Sequence, residues 1–307
     1  MDFKRADDGS WSVTSDPDGR SSPDYLEKLR RYLTALDPIF SRARAECESE
    51  FILTLLRVRG LSDAGWDPYE TTLEAVPMMI EVMENLDSAI AQRHLSLWIY
   101  LHIIEASEPY EILANLLGVI AGERFHISRF PPRGKKPQSP GEKIAKLEAM
   151  ADPLGLTNAL VPLKEAWNRG LRNAIGHSDY TVHGPELRTI RPTGSYSRDE
   201  LFSQIASGVA YQAALSTLYE YHVAAYTEPK LVRLHPGWGL PEAARGLVVV
   251  RENYGVTGLK QAMSREQVAR GGIQFSLAKG TREELDALSA DPELAFLPAR
   301  SEENSEG

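Results

Sequence analysis

Apolar side chains recur at the spacing of an α-helix through much of this chain, which favours a mainly helical fold. The clearest case is a seam with successive separations of 4, 3, 4, 4 and 3 residues, formed by Leu156, Leu160, Leu163, Trp167, Leu171 and Ala174. This spacing places every member on one face of a helix. We therefore predict one continuous helix here, with polar residues such as Glu165, Asn168 and Arg172 on the other side.

Prolines and capping residues divide the rest of the helical pattern. Pro38 is the expected break in a segment that begins at Ser22-Pro23, and Pro77 is a candidate break in the next one. We predict a buried central helix from Met78 to Glu105, because the pattern there is unusually apolar. The other predicted segments are 24–59, a helix starting at Asp67-Pro68, a helix starting at Glu108-Pro109, 142–151, and a long helix from the capping box Ser197–Glu200 to about Tyr226.

Short β-segments complete the expected architecture. Residues 180–182 and 187–190 look like two strands around the turn 183–186, so a β-hairpin should follow the helical seam. After Pro229 the pattern changes to strands at 247–251 and 273–277, with short helices at 264–270 and 281–290. We predict a disordered lead-in (1–21), a helical domain (22–230), a small mixed α/β appendage (231–298) and a disordered acidic tail (299–307).

Composition indicates an ordinary water-soluble protein. Of the 307 residues, 42% are hydrophobic and 25% are charged. The single cysteine, Cys47, excludes a disulfide framework within the chain and fits a reducing compartment. The polar N-terminus does not resemble a signal peptide, and the most apolar stretch, 95–104, is too short to cross a bilayer. We therefore expect a cytoplasmic protein with no membrane association.

Positive charge is concentrated in one segment of an otherwise acidic chain. The net charge is −9, which is not typical of nucleic-acid-binding proteins. Residues 124–146 nevertheless contain seven lysines and arginines, and the loop 125–141 is rich in proline and glycine. A long loop of this kind is either functional or simply solvated. The candidate RNA-binding residues are Arg129, Arg133, Lys135 and Lys136 in this loop, together with Arg169.

The strongest candidate for chemistry lies at the end of the apolar seam, where Arg172, Asn173 and His177 precede the predicted hairpin. Five residues in a straight helix turn through about 140°, so Arg172 and His177 would not share a face, whereas Asn173 and His177 would. Gly176 weakens the helix at this point and should let His177 turn off the last turn. We expect the guanidinium, carboxamide and imidazole to surround one small volume.

Such a set is suited to cleaving RNA without a metal ion. Arginine binds phosphate, and histidine exchanges protons near neutral pH. A base would take the proton of the ribose 2′-hydroxyl as its oxygen attacks phosphorus, and an acid would protonate the departing 5′-oxygen. The products would be a 2′,3′-cyclic phosphate and a 5′-hydroxyl. Because one histidine cannot readily serve as both base and acid, two copies paired in a dimer would complete the set.

The sequence R-N-A-I-G-H at Arg172–His177 resembles the R-[polar]-x-x-x-H signature of the HEPN superfamily. The resemblance covers six residues at the level of motif and about residues 60–226 at the level of helix pattern. It implies a HEPN-like helical bundle and a metal-independent endoribonuclease that acts in antiphage defence, as a toxin or in RNA processing. Arg172 and His177 would be catalytic, Asn173 would orient or support them, and the site would form in a homodimer without cofactor or metal.

Two other interpretations remain open. The motif residues could be an ordinary solvated helix end, with His177 favourably placed at the negative end of the helix dipole. The protein could also be a non-catalytic helical scaffold that binds RNA or a partner protein. A ribonuclease of this kind needs restraint, so we also expect a regulatory partner or antitoxin, or a regulatory role for residues 231–298.

Overall fold

The computed structural model describes residues 1–14, 22–56, 68–191, 193–240, 242, 244–262, 276–278 and 295–299. The helices are α1 (Pro23–Glu46), α2 (Glu48–Leu56), α3 (Pro68–Glu84), α4 (Ala89–Glu105), α5 (Glu108–Ile120), α6 (Pro140–Ala151), α7 (Val161–Ala166), α8 (Arg169–Gly176) and α9 (Arg198–Ala224). The strands are β1 (Asp2–Arg5), β2 (Trp11–Thr14), β3 (Tyr180–His183), β4 (Glu186–Ile190), β5 (Thr193–Tyr196), β6 (Leu231–Arg233), β7 (Arg245–Arg251), β8 (Gly255–Ala262), β9 (Ser276–Ala278) and β10 (Phe296–Leu297).

The fold is mainly helical, as predicted, with small sheets that are largely antiparallel. The chain divides into two compact units. The first comprises residues 1–39, 68–113 and 130–218, and the second comprises 40–67, 114–129 and 219–307. The second unit therefore includes more than the predicted appendage, because α2 and residues 114–129 belong to it. Within the described residues, none of the helices is long and apolar enough to span a membrane.

The N-terminal residues form a β-hairpin, so the prediction of a disordered lead-in is wrong for residues 2–14. Strands β1 and β2 pair in antiparallel fashion. Arg5 donates to both carboxylate oxygens of Asp37 on α1 at 2.7 and 2.8 Å, and the Trp11 indole donates to the same carboxylate at 3.2 Å. Asp37 and Trp11 are buried. These long-range contacts hold a polar hairpin whose local sequence carries no strong β-signal. The remainder of the expected lead-in, 15–21, lies outside the described residues.

Neither proline ends its helix. Pro38 lies inside α1, which ends at Glu46, and Pro77 lies inside α3. An interior proline costs about 3 kcal/mol of helix stability. On α1 this cost is offset by complete burial of the neighbouring Leu36 and Ile39, since each buried aliphatic side chain contributes about 1.5–3 kcal/mol.

The predicted central helix from Met78 to Glu105 is two helices. Helix α3 ends at Glu84, and α4 begins after Ser88, whose hydroxyl accepts from the amide of Ala91 at 3.3 Å. Met78 is 63% exposed, so the first part of this stretch is not buried. Apolar content suggested one buried helix, but a single capping serine divides it.

The predicted hairpin after the motif is present and gains a third strand. Strands β3, β4 and β5 form an antiparallel sheet in that order. The capping box before α9 is also confirmed: the Glu200 amide donates to the Ser197 hydroxyl at 3.3 Å, and Ser197 donates back to the Glu200 carboxylate. Helices α5 and α6 begin close to where the sequence predicts them.

The second unit contains a sheet of order β10-β7-β8-β9, with β6 also paired to β7. The predicted strand 247–251 corresponds to β7, and β9 overlaps the end of the predicted strand 273–277, while β6 and β8 were not predicted. Gly255 at the start of β8 has φ +112°, and a Cβ there would collide with the backbone carbonyl of Val223. The predicted helices at 264–270 and 281–290, and tail residues 300–307, lie outside the described residues.

We predict that Asp37→Ala lowers the free energy of unfolding by about 2–3 kcal/mol, because it removes the buried carboxylate that accepts from the Trp11 indole and from the partly buried Arg5. Urea denaturation would measure the change. Asp24→Ala is the matched control, because Asp24 is exposed in the first turn of α1 and should cost under about 1 kcal/mol. Equal losses in the two variants would contradict the assigned role of Asp37.

Candidate functional site

The predicted continuous helix over 156–174 is interrupted immediately before the motif. A 3-10 turn spans Thr157–Leu160, α7 ends at Ala166, and α8 starts at Arg169. The hydroxyl of Tyr100 on α4 lies at this break. It donates to the Ala166 carbonyl at 3.0 Å and accepts from the Asn168 amide at 3.0 Å. One buried hydroxyl thus bonds to a backbone group on each side of the interruption. Burial raises the pKa of Tyr100, which keeps the hydroxyl protonated.

Three other polar side chains make hydrogen bonds at the break. Gln204 on α9 donates to the carbonyls of Glu165 and Ala166 at 3.0 and 2.9 Å. The Asn168 side chain accepts from the amide of Leu171 at 3.0 Å and so caps α8, and the Tyr196 hydroxyl lies 3.2 Å from the same oxygen. The seam residues remain largely buried, but the motif now lies on a separate eight-residue helix.

Arg172 and Asn173 contact each other directly. Arg172 Nη1 donates to Asn173 Oδ1 at 2.9 Å, and Arg172 Nε donates to Glu105 Oε1 at the end of α4. The Arg172–Glu105 pair is partly exposed, with side-chain exposures of 25% and 38%. Two acceptors therefore fix the plane of the guanidinium, and one of them neutralises its charge.

His177 lies immediately after α8, at the C-cap position. Its amide donates to the Asn173 carbonyl at 3.0 Å, so Asn173 binds Arg172 through its side chain and His177 through its backbone. The imidazole is exposed and makes no hydrogen bond with the part of the chain that the structure describes. The structure thus brings Arg172 and Asn173 into side-chain contact and leaves the His177 ring open to solvent.

Ser178, not Gly176, produces the turn after the motif. Gly176 is the last residue of α8, whereas Ser178 has φ +56°. The amide of Ser178 donates to the Ile175 carbonyl at 3.1 Å, and the amide of Asp179 donates to the Ala174 carbonyl at 2.8 Å. This pair of hydrogen bonds is a Schellman motif, in which the left-handed position is usually glycine. His177 therefore lies beyond the last turn, as expected, but the residue in the left-handed conformation is Ser178 and not a glycine.

Arg172 and Asn173 line a cavity of about 580 Å³. The other lining residues come from the preceding break and from the start of α6: Ser139, Pro140, Gly141, Glu142, Ala145, Trp167 and Arg169. Ser139 and Glu142 form a capping box, and donation by the Ser139 amide and hydroxyl lowers the pKa of the Glu142 carboxyl below its usual value. The carboxylate is therefore ionised at neutral pH.

Three of the predicted RNA-binding residues of the basic loop are exposed near this cavity. Arg133, Lys135 and Lys136 belong to a turn closed by reciprocal backbone hydrogen bonds between Arg133 and Lys136, at 3.0 and 3.2 Å. Arg133 also forms an ion pair of 3.4 Å with Glu142, which lines the cavity. The position of this turn is compatible with binding a phosphate chain that leads to the motif.

Arg129 does not fit the predicted RNA-binding role. Its side chain is 8% exposed and donates to the Asn115 side chain at 2.9 Å, to the Arg124 carbonyl at 2.6 Å and to Glu123. It lies against Gly118, where no Cβ would fit. A guanidinium buried among its own acceptors orders the segment 123–129 and is not accessible to RNA.

Sequence reasoning missed three contributors to the site. Tyr100 and Glu105 lie on a helix that the sequence marks only as apolar. Their partners, Asn168 and Arg172, lie 68 and 67 positions further along the chain, so no local pattern links them. Trp167 was interpreted only as a seam residue, yet it lines the cavity. Among the described residues no group of three or more His, Cys, Asp or Glu side chains is arranged to hold a metal ion.

We predict that Tyr100→Phe lowers the free energy of unfolding by about 1–3 kcal/mol, because it leaves the Asn168 amide without its acceptor and removes one of the two hydrogen bonds to the Ala166 carbonyl. Tyr211→Phe is the matched control. Tyr211 is also buried, but within the described residues its hydroxyl has no partner, so its removal should be neutral or stabilising. Thermal and urea denaturation would measure both changes, and equal effects would contradict the role of the Tyr100 hydroxyl.

Comparisons with known proteins add no family to this description. The chain matches no protein-family model, no curated protein and no solved structure. The function therefore has to be inferred from the residues and contacts of the site itself.

Proposed function

We propose that this protein is a HEPN-like, metal-independent endoribonuclease with Arg172, Asn173 and His177 at its active site. The observation that carries the proposal is that two side chains at one helix end differ in how they are held. Arg172 is oriented by two acceptors, whereas the imidazole of His177 is exposed and uncommitted. A fixed phosphate-binding group and a free proton-transfer group, five residues apart at one helix end, are the two kinds of group that RNA cleavage through the 2′-hydroxyl requires.

In the proposed reaction, Arg172 binds the non-bridging oxygens of the scissile phosphate. Its Nη2 makes no hydrogen bond with the described residues and is available for this contact. His177 takes the proton of the 2′-hydroxyl as the 2′-oxygen bonds to phosphorus. The bond from phosphorus to the 5′-oxygen breaks, and the 5′-oxygen receives a proton from an acid. The products are a 2′,3′-cyclic phosphate and a 5′-hydroxyl.

The acid is the His177 of a second copy in a homodimer. Each chain supplies one such histidine, and a single imidazole would have to give up the proton it has just accepted. A two-fold arrangement of two motifs provides the second imidazole without further residues. The proposed HEPN-like bundle includes α4, α8 and α9, and the long helix α9 that follows the motif supports this proposal.

One observation favours the non-catalytic alternative. Glu105 already neutralises Arg172 within the single chain, so an RNA phosphate must compete with a carboxylate for the same guanidinium. A scaffold that binds RNA or a partner protein needs no free arginine at this position. The two functions differ in whether the purified protein breaks phosphodiester bonds.

We predict that the purified wild-type protein cleaves mixed-sequence RNA in the presence of EDTA, and that Arg172→Ala and His177→Ala each reduce the rate at least about 100-fold. Loss of general acid–base catalysis typically costs 10²–10⁴-fold. Arg188→Ala is the control, because Arg188 is 53% exposed on β4 and pairs with Glu186 rather than with a motif residue, and it should leave the rate unchanged. End-group analysis should show cyclic phosphates.

The possible results separate the two functions. Cleavage that survives both motif substitutions contradicts the assigned site. If the wild-type protein binds RNA but leaves it intact under all these conditions, the scaffold is favoured and the ribonuclease is rejected for the protein alone.

We predict that a dimer containing one wild-type and one His177→Ala chain loses most of its activity, because a composite site needs both imidazoles. Differently tagged chains, purified in tandem, would provide this mixed dimer for comparison with a doubly tagged wild-type dimer. Full activity of the mixed dimer, or of a monomer shown by sedimentation, would contradict the composite site.

Restraint of the nuclease is part of the proposal. An endoribonuclease of this kind acts as a toxin or in antiphage defence, and the cell must keep it inactive until it is needed. Residues 231–298, or a separate antitoxin, are the candidates for this restraint.

A further inference from the structure

The cavity beside the motif has the size and chemistry of a small-ligand site. Its volume of about 580 Å³ falls within the range of about 300–1,000 Å³ that is typical for such sites. It lies in the first compact unit and reaches the proposed catalytic residues Arg172 and Asn173 directly. Neither the motif nor the proposed cleavage chemistry requires a cavity of this volume.

Arg169 supplies an uncommitted positive charge to the cavity. Its side chain is exposed, and within the described residues it makes no hydrogen bond or ion pair. Arg172, three residues further along α8, is neutralised by Glu105, and the carboxylate Glu142 pairs with Arg133. The charge that remains unbalanced at the lining therefore belongs to Arg169, which can bind a phosphate in the bidentate geometry of a guanidinium.

Trp167 supplies an aromatic surface to the same cavity. The residue is partly exposed at the break between α7 and α8, and its ring passes close to Gly141 at the start of α6. Its backbone is fixed there by donation of its amide to the Leu163 carbonyl at 3.0 Å. A partly exposed indole in a cavity is a suitable platform for a nucleic-acid base, because all four bases can stack on it.

We propose that this cavity is a nucleotide subsite of the enzyme, which holds the nucleotide next to the cleaved bond of a single-stranded RNA. The base stacks on Trp167, and the phosphate that links this nucleotide to the next one binds Arg169. The inference rests on the proposed ribonuclease function and deepens it: the substrate is unpaired RNA, because a base in a duplex is not free to enter the cavity. The exposed turn at 133–136 continues the positive path away from the cavity.

Binding can be measured separately from cleavage with full-length His177→Ala protein and a fluorescein-labelled single-stranded oligouridylate eight nucleotides long. In this background, Trp167→Ala should weaken binding about 5–150-fold, since base stacking contributes about 1–3 kcal/mol. Trp167→Phe should restore most of the affinity, because it keeps an aromatic surface. Arg169→Ala should weaken binding and reduce the dependence of log K on log salt by about 0.7, the value for one phosphate of a single strand.

Matched controls test whether these effects are specific. Phe202→Ala removes another exposed aromatic side chain, 69% exposed on α9, and Arg30→Ala removes an exposed arginine from α1. Both should leave affinity and salt dependence unchanged. Thermal unfolding of each variant identifies any that fails to fold, and the Trp167→Phe variant then carries the comparison. A double-stranded RNA of the same sequence paired with its complement should bind more weakly than the single strand.

Several results would overturn the subsite. Equal affinity of Trp167→Ala and its parent would remove the stacking role, and an unchanged salt slope in Arg169→Ala would remove the phosphate contact. Uridine monophosphate that binds in a Trp167-dependent manner while the oligonucleotide does not would show a site for free nucleotides instead. Failure of the proposed ribonuclease function would give a different result. The wild-type protein would leave RNA intact, while binding of the oligonucleotide to the His177→Ala protein would still depend on Trp167.

Discussion

The hydroxyl of Tyr100 is the interaction on which the site depends. In a continuous helix the Ala166 carbonyl would accept from the amide of residue 170, and the Asn168 amide would donate to the carbonyl of residue 164. The Tyr100 hydroxyl bonds to both groups instead, and so lets α8 start as a separate helix with Asn168 as its cap. Without this break, Arg172 would lie on a continuation of α7. The apolar seam still packs on both sides of the break, because hydrophobic burial requires only that the side chains face inward. Burial therefore determines which side chains face the core, while the hydrogen bonds of the Tyr100 hydroxyl determine where α8 begins.

Charge around the motif is distributed unevenly. Glu105 holds and neutralises Arg172, which gives the guanidinium a fixed orientation but reduces the positive field that an RNA chain would meet. Arg169 and the exposed basic turn compensate for this loss at the neighbouring cavity. An acidic protein can in this way attract a polyanion through a small region, since charges more than about 10 Å apart are screened at ordinary salt concentration.

The sequence predicted what is encoded locally. The mainly helical class, the Ser197–Glu200 capping box, the hairpin at 180–190 and the start of α6 all correspond to local patterns, and all are present. It failed where distant residues decide the outcome. Burial of neighbouring side chains offsets the cost of Pro38 inside α1. Arg129 is buried and bonded to acceptors in its own segment, so it has a structural role. The first two strands are held by the hydrogen bond from Arg5 to Asp37. For the site, the sequence indicated Arg172, Asn173 and His177 but not Tyr100, Glu105 or the cavity.

The shortness of α8 has a consequence for how the site can be switched. A helix of eight residues is too short to be stable alone, because isolated helices need about 12–15 residues. Helix α8 is therefore stabilised by α4, through contacts between residues that are 67 and 68 positions apart in the chain. The six motif residues would not retain their arrangement if moved to another protein. Conversely, a ligand or partner that moved α4 would break the hydrogen bonds that Tyr100 and Glu105 make to the start and the middle of α8 without itself contacting the motif.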